Sequence, residues 1–119
     1  MRTRPRLGSL RAGAWAVRAA LSARREVRAG RMPPYALPPV PPVSESSVWM
    51  VQAVLPPPLF TCLVRASVRQ AWHAAHGWRR DLIIGVKAPG EDFGAHAWLE
   101  GDHSHSVAGY HELTRRSAA

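Results

Sequence analysis

The chain has one cysteine, Cys62, at the head of a segment with helical spacing, T-C-L-V-R-A (Thr61 to Ala66). A histidine, His96, follows in F-G-A-H-A-W-L-E (Phe93 to Glu100), which reads as a strand. A free thiol, with a pKa of about 8.5, is largely protonated at neutral pH. Two devices activate such a thiol. A helix N-terminus favours the thiolate, and an imidazole takes the proton and later delivers it to a leaving amine. N–H groups at the same helix start can hold a tetrahedral oxyanion. The chemistry expected of this pair is nucleophilic attack on an acyl group, provided the two side chains meet. Against it stand two plainer readings, a cysteine acting as a small buried hydrophobe and a structural histidine.

The elements that must position the pair are legible in part. Thr61 is a plausible N-cap for a helix running to about His76, with Gly77 as its stop. Leu63, Ala66, Val68 and Ala71 supply its buried face, while Arg65 and Arg69 point elsewhere. Arg65 is read as a substrate contact or as an ion-pair partner for Asp81 or Glu100. His73 and His76 sit in the last turn, near the negative end of the helix, rather than sharing a metal. Asp81 to Lys87 is a strand by β-branched content, Ala88 to Asp92 a turn around Pro-Gly, and Phe93 to Glu100 the second strand of an antiparallel pair. A turn follows at Gly101, then a weak third strand from His105 to about Gly109. From Tyr110 onward the tail carries no evident structure. Trp98 is read as facing away from His96, into the core.

Upstream, Ser9 to about Ala29 reads as a helix, with Ser9 as cap and Leu10, Ala14, Val17 and Leu21 at helical spacing. Arg11, Arg18, Arg25 and Arg28 make its other face. The helix is read either as docked on the rest of the chain or as a surface for an acidic partner or lipid. A signal peptide is disfavoured because Arg18 interrupts the apolar run. Pro33 to Pro42 contains six prolines and reads as a stiff spacer rather than an SH3-type ligand. A short helix from about Glu45 to Val54 places Trp49 in the core, and Pro56 to Pro58 stops it.

The net charge of +8 suggests nucleic acid until it is divided. Residues 1–31 hold nine arginines and one acid, whereas residues 32–119 hold seven basic and seven acidic side chains. The half with the thiol is neutral, so the charge describes a basic arm and what it touches. No helix-turn-helix or zinc-finger spacing appears, and no nucleic-acid partner is expected. At 119 residues, with 46% hydrophobic content, the chain can bury one small core. One cysteine excludes an internal disulfide, which fits a reducing, cytoplasmic setting. No apolar run reaches the roughly 18 residues that a spanning helix needs.

The wording around the pair is more specific than its spacing. Cys62-Leu-Val-Arg-Ala, a helix, Gly77, an Ile-rich strand ending Gly85-Val86, and Ala95-His96-Ala97-Trp98-Leu99-Glu100 resemble the B2 proteins of lasso peptide biosynthesis, the transglutaminase-like leader peptidases. The resemblance runs from Trp49 to Glu112. It implies an α+β fold of the papain/transglutaminase type, with a catalytic helix packed on a short antiparallel sheet. It implies a cysteine protease that cuts the leader from a ribosomally made precursor. The implied partners are the precursor leader, a small leader-recognition (B1-type) protein and a lasso cyclase, with no cofactor. Residues 1–43 are then a basic helical arm and Pro-rich linker, and residues 44–119 the peptidase domain.

By resemblance Cys62 maps to the nucleophile and His96 to the general base. The acidic third member does not map cleanly, because Val107-Ala108-Gly109 stands where the family has it. Asp102 is the nearest aspartate and the candidate orienting residue, although Asp is common in turns for conformational reasons alone. Glu112 is the other downstream acid. Asp102, His103, His105 and His111 also form a local cluster of donors, but with no cysteine and no closed-site spacing no metal is expected. Two alternatives stay open: a basic-arm binding module, and a degenerate family member that keeps the fold without efficient chemistry.

Overall fold

The helix that begins at the cysteine lies between the other elements. In this computed structural model, which describes residues 7–57, 59–87, 94–102 and 109–119, it spans Cys62–Ala75 (α3). The Thr61 side chain accepts the Val64 N–H at 3.3 Å, the expected N-cap. One face of α3 carries Val64, Val68 and Trp72, all buried against the upstream helices. Another carries Ala66, which packs with Leu82, Ala97 and Leu99 of the sheet. Leu82 and Leu99 are fully buried, each contributing about 1.5–3 kcal/mol. Between the two cores, the Gln70 side chain donates to Arg80 O at 2.9 Å and Arg116 O at 3.0 Å, fastening to the helix the end of the sheet where Leu82 pairs with Arg116.

Upstream, α1 spans Leu7–Arg28, and Glu45–Ser47 forms a 3-10 turn leading into α2, Val48–Ala53. Ser44 caps this turn, its hydroxyl accepting the Ser46 N–H, whereas Ser9, expected to cap α1, lies buried inside it because α1 begins at Leu7. The packed face of α1 corrects the expected one. Ala12, Ala16, Ala19, Ala20 and Ala23 are buried with Trp15, while Leu10, Ala14 and Leu21 are exposed beside the arginines. Small side chains let the backbones approach closely: a Cβ on Gly13 would stand 2.9 Å from Met50 Cγ of α2. Trp15 fills the remaining space, its ring 5.7 Å from that of Trp72, with its N–H donated to Pro38 O. Trp49, expected in the core, is exposed. The Pro-rich segment lies along the helices, with Leu37, Val40 and Val43 packed on the core.

The sheet has the order β2-β1-β3 and is antiparallel throughout, with β1 Leu82–Lys87, β2 Ala95–Leu99 and β3 Tyr110–Arg116. The α+β class and the helix on a short antiparallel sheet are as expected. The third strand is not: it occupies the tail from Tyr110. The expected strand at 105–109 falls, but for Gly109, outside the described residues, as does the turn at 88–92. β3 escaped because it is a polar edge strand, Y-H-E-L-T-R-R, with no apolar alternation to betray it. Charge supports it instead: Arg115 donates to Glu112 at 2.7 Å, Glu100 at 3.1 Å and Asp81 at 3.4 Å.

Candidate active site

Register decides where the thiol lies relative to the sheet. The bonds from Lys87 N to Gly94 O and from Glu100 N to Asp81 O mark the ladder pairs at the two ends of β1 and β2. By antiparallel alternation, the Ile84–Ala97 pair between them is not hydrogen-bonded, so the Ala97 N–H points off the edge of β2 away from β1, which no strand among the described residues pairs. Cys62 meets it there: the Ala97 N–H donates to Sγ at 3.4 Å. The half-buried thiol is thus tied to the residue next to His96.

His96 is also half-buried, on the sheet face opposite Ala97 and Leu99, and among the described residues its ring makes no hydrogen bond to the thiol; the two share the lining of one depression. Its ring lies 5.8 Å from Trp98, nearly parallel, and 5.1 Å from Tyr110. Trp98 therefore shares the face of His96, as two-residue spacing on a strand requires; the expectation that it faced away is reversed. Gly85 makes room for it, since a Cβ there would stand 2.7 Å from both Trp98 Cη2 and His111 O. Cys62, His96 and Asp102 line one depression of about 170 Å³, together with Arg65, Arg69 and Trp98. A larger open groove of about 930 Å³, between the start of α1 and Trp49, has Arg11 as its one ionisable side chain among the described residues and offers no comparable chemistry.

The profile of the transglutaminase-like superfamily matches residues 5–117. The chain belongs to this superfamily. No curated protein and no solved structure matches it significantly. The matched span includes α1, whose alanine face packs on the same core as the thiol-bearing helix.

In this transglutaminase-like chain the carboxylate nearest the pair is held by cations. Asp102 accepts from Arg69 at 2.8 Å and 3.3 Å, from Arg80 at 2.9 Å and from the Leu99 N–H at 3.0 Å. Burial would raise its carboxyl, but these bonds more than offset that and hold it at about 2. Among the described residues its oxygens make no bond to the His96 ring. It acts on the imidazole through space: burial and the Arg65 charge push His96 below its usual 6.5, and Asp102 opposes them. Both lowering influences favour the neutral ring, the form that can accept a proton. Arg80, almost fully buried, also donates to Glu100 O at 2.8 Å and lies 4.2 Å over the Trp78 ring.

The remaining candidates fall elsewhere. Glu112 is exposed on β3 and pairs with Arg115. Arg115 also takes Asp81 and Glu100, the partners considered for Arg65. Arg65 has no carboxylate partner among the described residues and lines both the thiol depression and its neighbour of about 320 Å³ beside α2. Sequence reading missed Arg69 and Arg80 as the holders of Asp102. For Arg69 the signal was present: Cys62, Arg65 and Arg69 follow helical spacing and share one stripe of α3. Both His76 ring nitrogens face carbonyl oxygens, of Trp72 and Val43, and His73 stacks edge-on against Trp78, so neither is set for a metal. No cluster of metal-ligating side chains forms among the described residues; His103 and His105 lie outside them.

Proposed function

We propose that this chain is a cysteine peptidase that removes the leader from a ribosomally made lasso peptide precursor. The observation that carries it is the contact of the Cys62 thiol with the amide beside His96, inside the C-L-V-R-A and A-H-A-W-L-E wording. Cys62 Sγ attacks the scissile carbonyl and its proton passes to His96 across the depression that both line, once the imidazole turns toward the sulfur. The oxyanion forms beside the first-turn N–H groups of α3, where Thr61 has already taken that of Val64. His96 then protonates the leaving amine, and water hydrolyses the thioester. Asp102 is a positioning residue: it fixes the turn after β2 through Leu99 and balances the cations around His96. The substrate leader arrives with a small leader-recognition protein, and a cyclase consumes the product; the setting is cytoplasmic.

The engagement of Asp102 by two arginines favours a second reading, a member that keeps the fold with little chemistry. One experiment separates them: incubate the precursor and the leader-recognition protein with wild type, Cys62→Ala and His96→Ala, and follow cleavage by mass spectrometry. Cleavage by wild type alone supports the peptidase. Cleavage surviving in Cys62→Ala overturns it, and no cleavage by wild type selects the second reading.

A further inference from the structure

α1 has a second face, and nothing among the described residues covers it. Leu7, Leu10 and Leu21 are 75%, 54% and 42% exposed. With Ala14 and Val17 they step along the helix by alternating threes and fours, the seven-residue repeat of a coiled-coil seam. Arg11, Arg18 and Arg25 recur at every seventh residue along one flank of that seam. All three are exposed, and none pairs with a carboxylate among the described residues; Arg25 reaches only Ser22 Oγ, at 3.3 Å. α1 is about 33 Å long, and the apolar seam covers its first two repeats, Leu7 to Leu21, the next seam positions being Arg24 and Arg28.

We propose that this seam docks an acidic amphipathic helix of a partner protein, apolar along its own seam, with Glu or Asp facing Arg11, Arg18 and Arg25. Charge complementarity selects that occupant. A second copy of the chain would bring only arginines to the flank, since the sole acid of α1, Glu26, is bound to Arg31 at 2.9 Å. A lipid surface would favour basic residues on both sides of the apolar line; Arg11, Arg18 and Arg25 keep to one, Arg24 and Arg28 stand on the continuation of the line itself, and Arg24 is engaged over the Phe60 ring. The seam also leads somewhere. At its C-terminal end, Arg24 lies 4.5 Å over the Phe60 ring and lines a depression with Leu59 and Thr61, the residue that caps the Cys62 helix. A helix seated on α1 therefore ends at the approach to the thiol. That consequence rests on the peptidase reading, but the docking itself does not.

The test uses the full chain as Cys62→Ala, so that peptidase activity has no bearing on the readout. Two labelled synthetic helices share leucines along the seam and differ only in the flanking residue, Glu in one and Lys in the other. Fluorescence anisotropy is expected to show the acidic helix binding at least about tenfold tighter. Arg11→Glu/Arg18→Glu/Arg25→Glu, all surface changes, reverses the preference, and Leu10→Ser/Leu21→Ser weakens both. Equal binding of the two helices, or binding of neither, overturns the proposal. So does binding of phosphatidylglycerol vesicles that depends on the arginines while the acidic helix does not bind, or a concentration-dependent dimer that depends on the leucines.

Discussion

The Ala97 N–H donates to Cys62 Sγ at 3.4 Å, joining the first residue of α3 to the edge of β2 away from β1. An edge strand must leave alternate N–H groups without a ladder partner, and here one of them orients the thiol. Cys62→Ala removes one weak sulfur acceptor at a half-buried position, so the fold should lose no more than about 1 kcal/mol. Cleavage of the precursor should fall by at least about 10³-fold. Far-UV circular dichroism with a thermal melt, set beside the cleavage assay, checks both halves. A variant that has unfolded would remove the inference from lost activity.

The surroundings of His96 set the pH profile. Burial and Arg65 push its ring below 6.5, so the neutral imidazole persists into mildly acidic solution. The acid limb of kcat/KM should therefore lie below 6.5. Arg65→Gln removes one lowering influence and should move that limb upward, whereas Asp102→Asn removes the raising influence and should move it downward. Opposite displacements in the two variants are the expected signature. Displacement in the same direction would contradict the assignment of His96 as base.

Much of this arrangement was legible because it obeys local rules. Thr61 before an apolar-periodic run announces a cap, and L-I-I-G-V-K and A-H-A-W-L announce strands. Where the reading went wrong, tertiary context overrode local pattern. α1 turns alanines inward because a close helix crossing wants small residues, while its leucines face out. β3 is held by an ion-pair fan and by pairing to β1 rather than by an apolar face. The partners of Asp102 come from α3 and from the strand approach at Arg80, distances along the chain that no motif spans.

Asp102 is the hinge of that cluster. Its loss leaves Arg80, with a side chain only 5% exposed, without its carboxylate. Asp102→Ala should cost about 3 kcal/mol, the low end for breaking a buried pair, and lower Tm by roughly 10 °C. The folded carboxyl sits at about 2, below its unfolded value near 3.9. Its stabilisation is therefore present above about pH 4 and lost as pH falls through 2. Urea titrations at pH 5 and pH 2.5 should show this loss in wild type and not in the variant.

His73 gives a second, separate acid sensitivity. Burial, then Arg80 and Arg69, push it down to about 4, and its Nδ1 is buried without a partner among the described residues. The unfolded chain binds this proton near 6.5 and the folded chain does not until about 4. Stability is full above 6.5 and declines as pH falls between those values. With allowance for solvent screening the loss is on the order of 1–2 kcal/mol. His73→Phe keeps the ring against Trp78 and removes the proton. Its urea midpoint should then change less than that of wild type between pH 7 and pH 4.5.

Gly85 tests whether the sheet positions the His96 ring. A Cβ there would stand 2.7 Å from the His111 carbonyl, which is backbone and cannot swing aside, and 2.7 Å from the Trp98 ring. Overpacking of this kind costs about 1–3 kcal/mol. In Gly85→Ala the indole must move, and the His96 ring stacked 5.8 Å from it moves with it. The effect should appear in kcat more than in KM, because the depression holding Cys62 and Arg65 is lined by α3 and β2 rather than by β1. Trp98→Phe in the same background relieves the contact with a smaller ring and should restore part of the lost kcat. A loss confined to KM, or no rescue, would mean that Trp98 packs on Gly85 without positioning His96.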